Sequence, residues 1–189
     1  LVSSGAVGAG ISLLGLKSTW FSIDTLSLDP SATRLVYGQE VVLAGSLRGV
    51  DTVILERRVG GSGWKRLTAV DTGRKGAFRA TDTPRVTSHY RVRALRLVGP
   101  AVRVAVAPRI TLRIDPGGRI VGAVDPHVGG MAVTIQQRSG GRWKAVAPAE
   151  VRTGGAFRAR LELAPGTYRA VTSPAGGLVR GASKPLQVT

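Results

Sequence analysis

A chain of 189 residues that is 43% hydrophobic has enough apolar material to fold, and room for one large domain or two small ones. With 26 glycines, 10 prolines and no cysteine, it favours turns and short elements over long helices and excludes both a disulfide scaffold and thiolate metal sites. The 27 Lys and Arg against 11 Asp and Glu leave a net charge of +16, which favours anionic partners such as nucleic acid, anionic lipid or acidic cell-wall polymer.

The first 16 residues, "LVSSGAVGAGISLLGL", carry no charge. They are too short and Gly-rich to span a bilayer, and no basic segment precedes them as in a signal peptide. No later run reaches membrane-spanning length. The chain starts at Leu1 rather than Met, so we expect a fragment or processed product with an upstream domain and any export signal before it. "GISLLGL" (10–16) predicts a short helical turn, and "STWFSIDTLSL" (18–28) alternates like a strand until "DPS" (29–31) breaks it. Residues 1–33 read as an N-terminal extension.

From residue 34 onward the chain repeats itself. "GAFRA" occurs at 76–80 and again at 155–159. Aligning the copies puts Trp64-Lys65 on Trp143-Lys144, each after a Gly-rich turn ("VGGSG", "SGGR"). "VVLAGSLRG" (41–49) falls on "GRIVGAVDP" (118–126), "VILERR" (53–58) on "VTIQQR" (133–138), and "HYRVRA" (89–94) on "TYRAVT" (167–172). The spacings stay between 77 and 80, so few insertions separate the two copies.

Within each copy, short runs alternate apolar and polar residues between Gly, Pro, Asp or Ser. In "VRVAVAP" (102–108), Val102, Val104 and Val106 share one face and Arg103 takes the other. About seven such runs per copy predict an all-β chain of two tandem immunoglobulin- or fibronectin-like antiparallel β-sandwiches, at 34–108 and 109–189. Pro108 and an almost continuous strand leave little slack at the junction, which predicts a stiff, extended pair.

The order of these features resembles the bacterial Ig-like or fibronectin type III-like repeats of secreted proteins from high-GC Gram-positive bacteria. The resemblance covers 34–189 and implies a secreted or cell-envelope location, with little about activity. "LLGLKSTWFSI" (13–23) is similar to the end of SpoIID/LytB-type domains, which act on or near peptidoglycan. That likeness implies a catalytic body upstream of Leu1 and makes this chain its accessory region, an alternative reading.

Catalysis finds little support within the chain. His89 stands where the second copy has Thr167, and His127 lies in the turn "DPH" with no nucleophile elbow to serve. The few carboxylates are scattered, and there is no calcium loop or paired His, so we expect no enzyme, metal or cofactor here. The Gly-rich turns precede no helix, which removes the phosphate-cradle reading.

Binding is the remaining class. Trp64 and Trp143 recur, and each lies three residues before a candidate core residue, Leu67 or Val146. In an unbroken strand those positions face opposite ways. Either a bulge returns the indole to the core, or it lies on the outer sheet as an edge-packed ring or a ligand platform. Arg57, Arg58, Arg79, Arg91 and Arg93 crowd the first copy, and Arg158 and Arg160 the second. Alternation sends most of them outward, as basic stripes able to hold teichoic or other anionic wall polymer, or peptidoglycan. DNA would bind the same way non-specifically, but no helix reader or RNA-stacking motif is present, which disfavours nucleic acid. Arg outnumbers Lys 22 to 5, consistent either with guanidinium forks gripping anions or with GC-rich coding. The leading expectation is a non-catalytic spacer or adhesion module of an exported envelope protein.

Overall fold

A computed structural model describes residues 26–189, so the likeness at 13–23 lies outside the described residues. The described chain is all-β. Its strands are β1 (Asp29–Pro30), β2 (Arg34–Val36), β3 (Val41–Ser46), β4 (Thr52–Val59), β5 (Lys65–Asp71), β6 (Ala77–Asp82), β7 (Ser88–Ala94), β8 (Leu97–Val98) and β9 (Val102–Ala107). They continue as β10 (Arg109–Ile114), β11 (Ile120–Asp125), β12 (Val133–Ser139), β13 (Arg142–Val151), β14 (Ala156–Ala159), β15 (Gly166–Thr172) and β16 (Leu186–Val188). Among the described residues no helix is long and apolar enough to cross a membrane.

Strands β1–β9 form a two-sheet sandwich, with β1-β3-β6 facing β2-β9-β7-β4-β5 and β8 paired to β7. All ladders are antiparallel except β2 with β9, which run parallel. Strands β10–β16 make one seven-stranded sheet in the order β10-β11-β14-β13-β12-β15-β16. The ten-residue β13 explains the difference: it pairs with β12 along its length and with β14 at its end, joining the two faces that stay separate in the first sandwich. The first core takes in Leu26 and Leu28, and β1 pairs with β3, so part of the stretch before residue 34 packs into the first sandwich.

The doubled pentapeptide has a packing cause. Gly76 and Gly155 adopt positive φ (76° and 87°), and their carbonyls accept from the N–H of Leu47 and Val124 at 2.9 Å. A Cβ on either would meet that partner residue's carbonyl oxygen well inside 3.0 Å, so a side chain is excluded both by space and by φ. Two residues on, Phe78 and Phe157 are buried, and each lies opposite a strand glycine, Gly45 or Gly122. The ring occupies the place a Cβ would take there. The glycine within each "VVLAGS"-type run and the "GAF" of each copy are two halves of one contact.

Tyr90 and Tyr168 sit at the centre of their respective cores, 0% and 1% exposed. Tyr168 donates its hydroxyl to the Ala164 carbonyl at 2.8 Å, a tyrosine corner. Tyr90 instead donates to Asp82 Oδ2 at 2.7 Å, and that carboxylate also holds Arg57 at 3.0 Å.

Pro108 is the only residue between β9 and β10. The joint is continuous in packing: Val106 belongs to the second core, and Tyr37 and Val86 pack against it. Backbone bonds cross it from Val179 N–H to Val106 O (2.8 Å) and from Thr87 N–H to Gly177 O (2.9 Å). Two arginines add to these: Arg109 reaches the Tyr37 carbonyl at 3.1 Å, and Arg34 reaches the Arg180 carbonyl.

Candidate functional site

The register of β5 on β4 decides where Trp64 goes. Arg57 pairs with Lys65 and Glu56 with Arg66, and then a bulge leaves Leu67 unopposed before Leu55 meets Thr68. Counting back, Trp64 falls in the row of Arg58 and on the face of Glu56, away from Val53 and Leu55 of the core. The indole therefore lies on the outer sheet, half-buried. The bulge falls beyond the Trp and does not return it to the core. It turns the following Leu67 and Val70 toward the interior, where both pack on the first core.

The outer indole is covered by arginine. Arg91 stands 4.2 Å from the Trp64 ring centroid and Arg58 stands 4.9 Å from it, both within cation–π range. Arg91 is the cross-strand partner of Glu56 and donates Nε to its carboxylate at 2.7 Å, while Arg93 pairs with the same carboxylate at 3.3 Å. Glu56 is only 7% exposed. Its neighbours pay for that burial by supplying two guanidinium partners.

The second sandwich rebuilds the arrangement with different letters. Arg169 stands 4.3 Å from the Trp143 centroid and donates Nε to Gln136 at 2.8 Å, Gln136 being its cross-strand partner. Burial, and then the nearby Arg180, push Arg169 below the usual arginine range. Here the bulge residue is Val146, which is 42% exposed, and the neighbouring Ala147 is buried instead. The expectation that Val146 is a core position is therefore corrected: the unpaired residue of the bulge swings out, and the next one opposes Ile135.

Row by row, the outer face of the first sandwich carries Trp64, Arg58, His89 and Arg103, then Arg66, Glu56 and Arg91, with Arg93 beyond. Arg58 Nε and His89 Nδ1 are buried without a hydrogen-bond partner in the protein. Burial, followed by the charges of Arg58 and Arg103, holds His89 below its ordinary pKa and so favours the neutral ring.

Four of the named arginines have carboxylate partners. Besides Arg91 and Arg93, Arg160 pairs with Glu150 at 3.1 Å in an exposed bridge. Arg57 does not belong to the outer face: it alternates with Val53 and Leu55 and reaches Asp82 on the opposing sheet, so it ties the two sheets together. Arg79 is exposed on β6, in a row with Ala44 and Asp29. Arg158 is half-buried on β14, between Val121 and Glu150. Arg66, and the role of Glu56 as the anchor, escaped the sequence reading, because both depend on which residue of β4 faces which of β5. Among the described residues no group of three His, Cys, Asp or Glu is placed to hold a metal.

No protein-family model and no curated protein matches the chain. Among solved structures, a human OSCAR ligand-binding domain is similar at 14% identity over 87% of this chain and 98% of its own, with a TM-score of 0.34. A cytokine receptor complex is similar at 16% identity over 78% of this chain and 88% of its own, with a TM-score of 0.35. Likenesses at these scores carry no argument about what this chain does.

Proposed function

We propose that the chain is a non-catalytic tandem Ig-like spacer and adhesion module of an exported bacterial cell-envelope protein, leaning on anionic cell-wall polymer through its basic sheet faces. The observation that carries this reading is the outer face of the first sandwich. Five arginines (58, 66, 91, 93 and 103) crowd it around one buried carboxylate, Glu56, with Asp71 beside Thr52 at the far end of β5. Glu56 and Trp64 hold Arg91 in place, so a bound anion meets a positioned guanidinium rather than a loose one. The indole is already covered by arginine, which argues for charge, and against stacking on a sugar ring, as the means of adhesion. The short joint at Pro108 suits a spacer, because backbone and arginine bonds across it oppose bending.

Pull-down of the full chain on purified Gram-positive cell wall, at about 50 and about 300 mM salt, tests the reading. Retention that falls steeply with salt is the expected result. Salt-insensitive retention, or none at the lower salt, overturns it.

A further inference from the structure

A different face carries a separate groove. The outer surface of β10, β11 and β14 holds a groove of about 380 Å³, within the range of small-ligand sites. Small residues make its floor: Ala123 lies opposite both Thr111 and Ala156, and Gly122 covers the Phe157 ring. Arg113, Arg152 and Arg158 line it. Arg113, Val121 and Arg158 lie in one cross-strand row, so the two arginines are two strand spacings apart, about 9.6 Å.

Two carboxylates lie nearby and both are engaged elsewhere. Asp115 lines the groove, but it accepts from the Arg119 backbone N–H at 2.9 Å and from Arg119 Nε at 3.0 Å. Those bonds, the backbone one first, hold it below the usual carboxylate range. Glu150 is the cross-strand neighbour of Arg158 and pairs with Arg160. The groove therefore keeps three positive charges that no carboxylate at its edge neutralises.

The first sandwich supplies an internal comparison. Arg79 answers Arg158. The place of Arg113, opposite the equivalent β-strand residue, is taken by Asp29, which pairs with Ala44. The place of Arg152, whose N–H bonds the Ala156 carbonyl, is taken by Gly73, whose N–H bonds the Ala77 carbonyl. Both differences are on exposed positions where the fold asks nothing of the side chain. One copy has lost this cationic rim, or the other has acquired it.

We infer that this groove of the second sandwich is a binding site for a phosphodiester polymer, and that its occupant is a polyol-phosphate chain. The inference rests on the wall-polymer reading and locates its specific contact. Arginines rooted two strands apart, with Arg152 at the turn, fit a multivalent anion better than a single one, and guanidinium fork geometry suits phosphate oxygens. Single-stranded nucleic acid shares the flexible phosphodiester chain but needs a surface on which its bases stack. The floor here is alanine and glycine, and the only ring, Phe157, is buried.

Binding of labelled synthetic poly(glycerol phosphate) to the full chain, by fluorescence anisotropy across a salt series, tests this. Three phosphate contacts give a log–log salt slope of about −2. R113D/R152G installs the first sandwich's residues and is expected to weaken binding about 30-fold and flatten the slope. R85D/K184G removes the same charge at exposed positions elsewhere and should leave affinity within about twofold of the parent, allowing for the Debye-screened field. R113Q/R152Q, checked by circular dichroism, guards against a folding defect and should lose affinity in the same direction. If the parent binds but R113D/R152G binds equally, or the charge-matched control loses as much, the groove is wrong and the wall-polymer reading survives. Tighter binding to oligothymidylate than to the polyol phosphate overturns the occupant. Failure of the parent to bind overturns the groove inference, while salt-dependent retention on purified cell wall decides the wider reading separately.

Discussion

Replacing Glu56 with alanine removes the acceptor that pins two arginines to the outer sheet. The carboxylate receives Arg91 at 2.7 Å and Arg93 at 3.3 Å from a position only 7% exposed, and Arg91 lies 4.2 Å from the Trp64 centroid. Breaking a fully buried pair costs about 3–5 kcal/mol. Here the Arg91 side chain is 24% exposed and Arg93 is 46% exposed, so water rescues the freed cations in part. Discounting for that, we expect E56A to cost about 2 kcal/mol. E56Q should cost about half as much, because Gln136 already holds Arg169 in the same way at 2.8 Å. The assay is urea unfolding followed by the fluorescence of Trp64, with Trp20 and Trp143 replaced by Phe. With a slope of about 1 kcal/mol per M for a domain of this size, E56A should move the first sandwich's midpoint by about 2 M. A midpoint shift below about 0.5 M, or equal losses for E56A and E56Q, would refute the idea that this carboxylate organises the face.

Two further outcomes follow from the same structure. Gly45→Ala and Gly122→Ala each push a Cβ inside 3.0 Å of a phenylalanine ring and of a backbone carbonyl (Ser27 or Thr111) that cannot step aside. Each should cost about 2–3 kcal/mol by overpacking, read as a lower denaturation midpoint of its own sandwich; a change under about 0.5 kcal/mol would contradict the packing. His89 has its pKa lowered by burial, then by Arg58 and Arg103, so the unfolded chain takes up a proton there more readily than the folded one. Its contribution is complete above about pH 6.5 and is lost as pH falls below that value. H89T, which installs the second copy's Thr167, should flatten the decline in stability between about pH 6.5 and 5.5, and parallel profiles for the two proteins would exclude His89 as its source.

Much of the architecture was open to reading from residue order alone. The alternation of "VRVAVAP", the paired glycines and the doubled "GAFRA" each encode a face or a turn within a few residues, and the fold obeys them. The candidate site was harder, because it depends on register. In "ERR" (56–58), three charged residues follow one another, and the letters do not say which faces out. Pairing with β5 and β7 sends Glu56 and Arg58 outward and Arg57 inward to Asp82, so the residue read as a surface ligand is an internal tie. Val146 shows the same limit. A single unpaired residue in β13 exchanges its role with Ala147, and nothing in the local sequence marks the bulge. The groove lies furthest from the sequence, since Arg113, Arg152 and Arg158 come together only through the pairing of three strands and a turn.

The duplication separates what the fold needs from what a surface can change. Positions that tie the sandwich together are the same in both copies or replaced by an equivalent: Gly45 and Gly122, Phe78 and Phe157, Tyr90 and Tyr168. The arginine on each outer indole is kept as well, but its acceptor is charged in one copy and neutral in the other, as Glu56 and Gln136. The stacked Arg–Trp pair thus belongs with the structural positions, while the acceptor sets the net charge of the face around it. Asp29 against Arg113 and Gly73 against Arg152 are of the second kind entirely: exposed, without a packing role, and opposite or absent in charge between the copies. Two sandwiches with one skeleton and different charge patterns present different surfaces to an anion. The charges that differ between the copies gather at the β10–β11–β14 groove, whereas the stacked tryptophans are common to both.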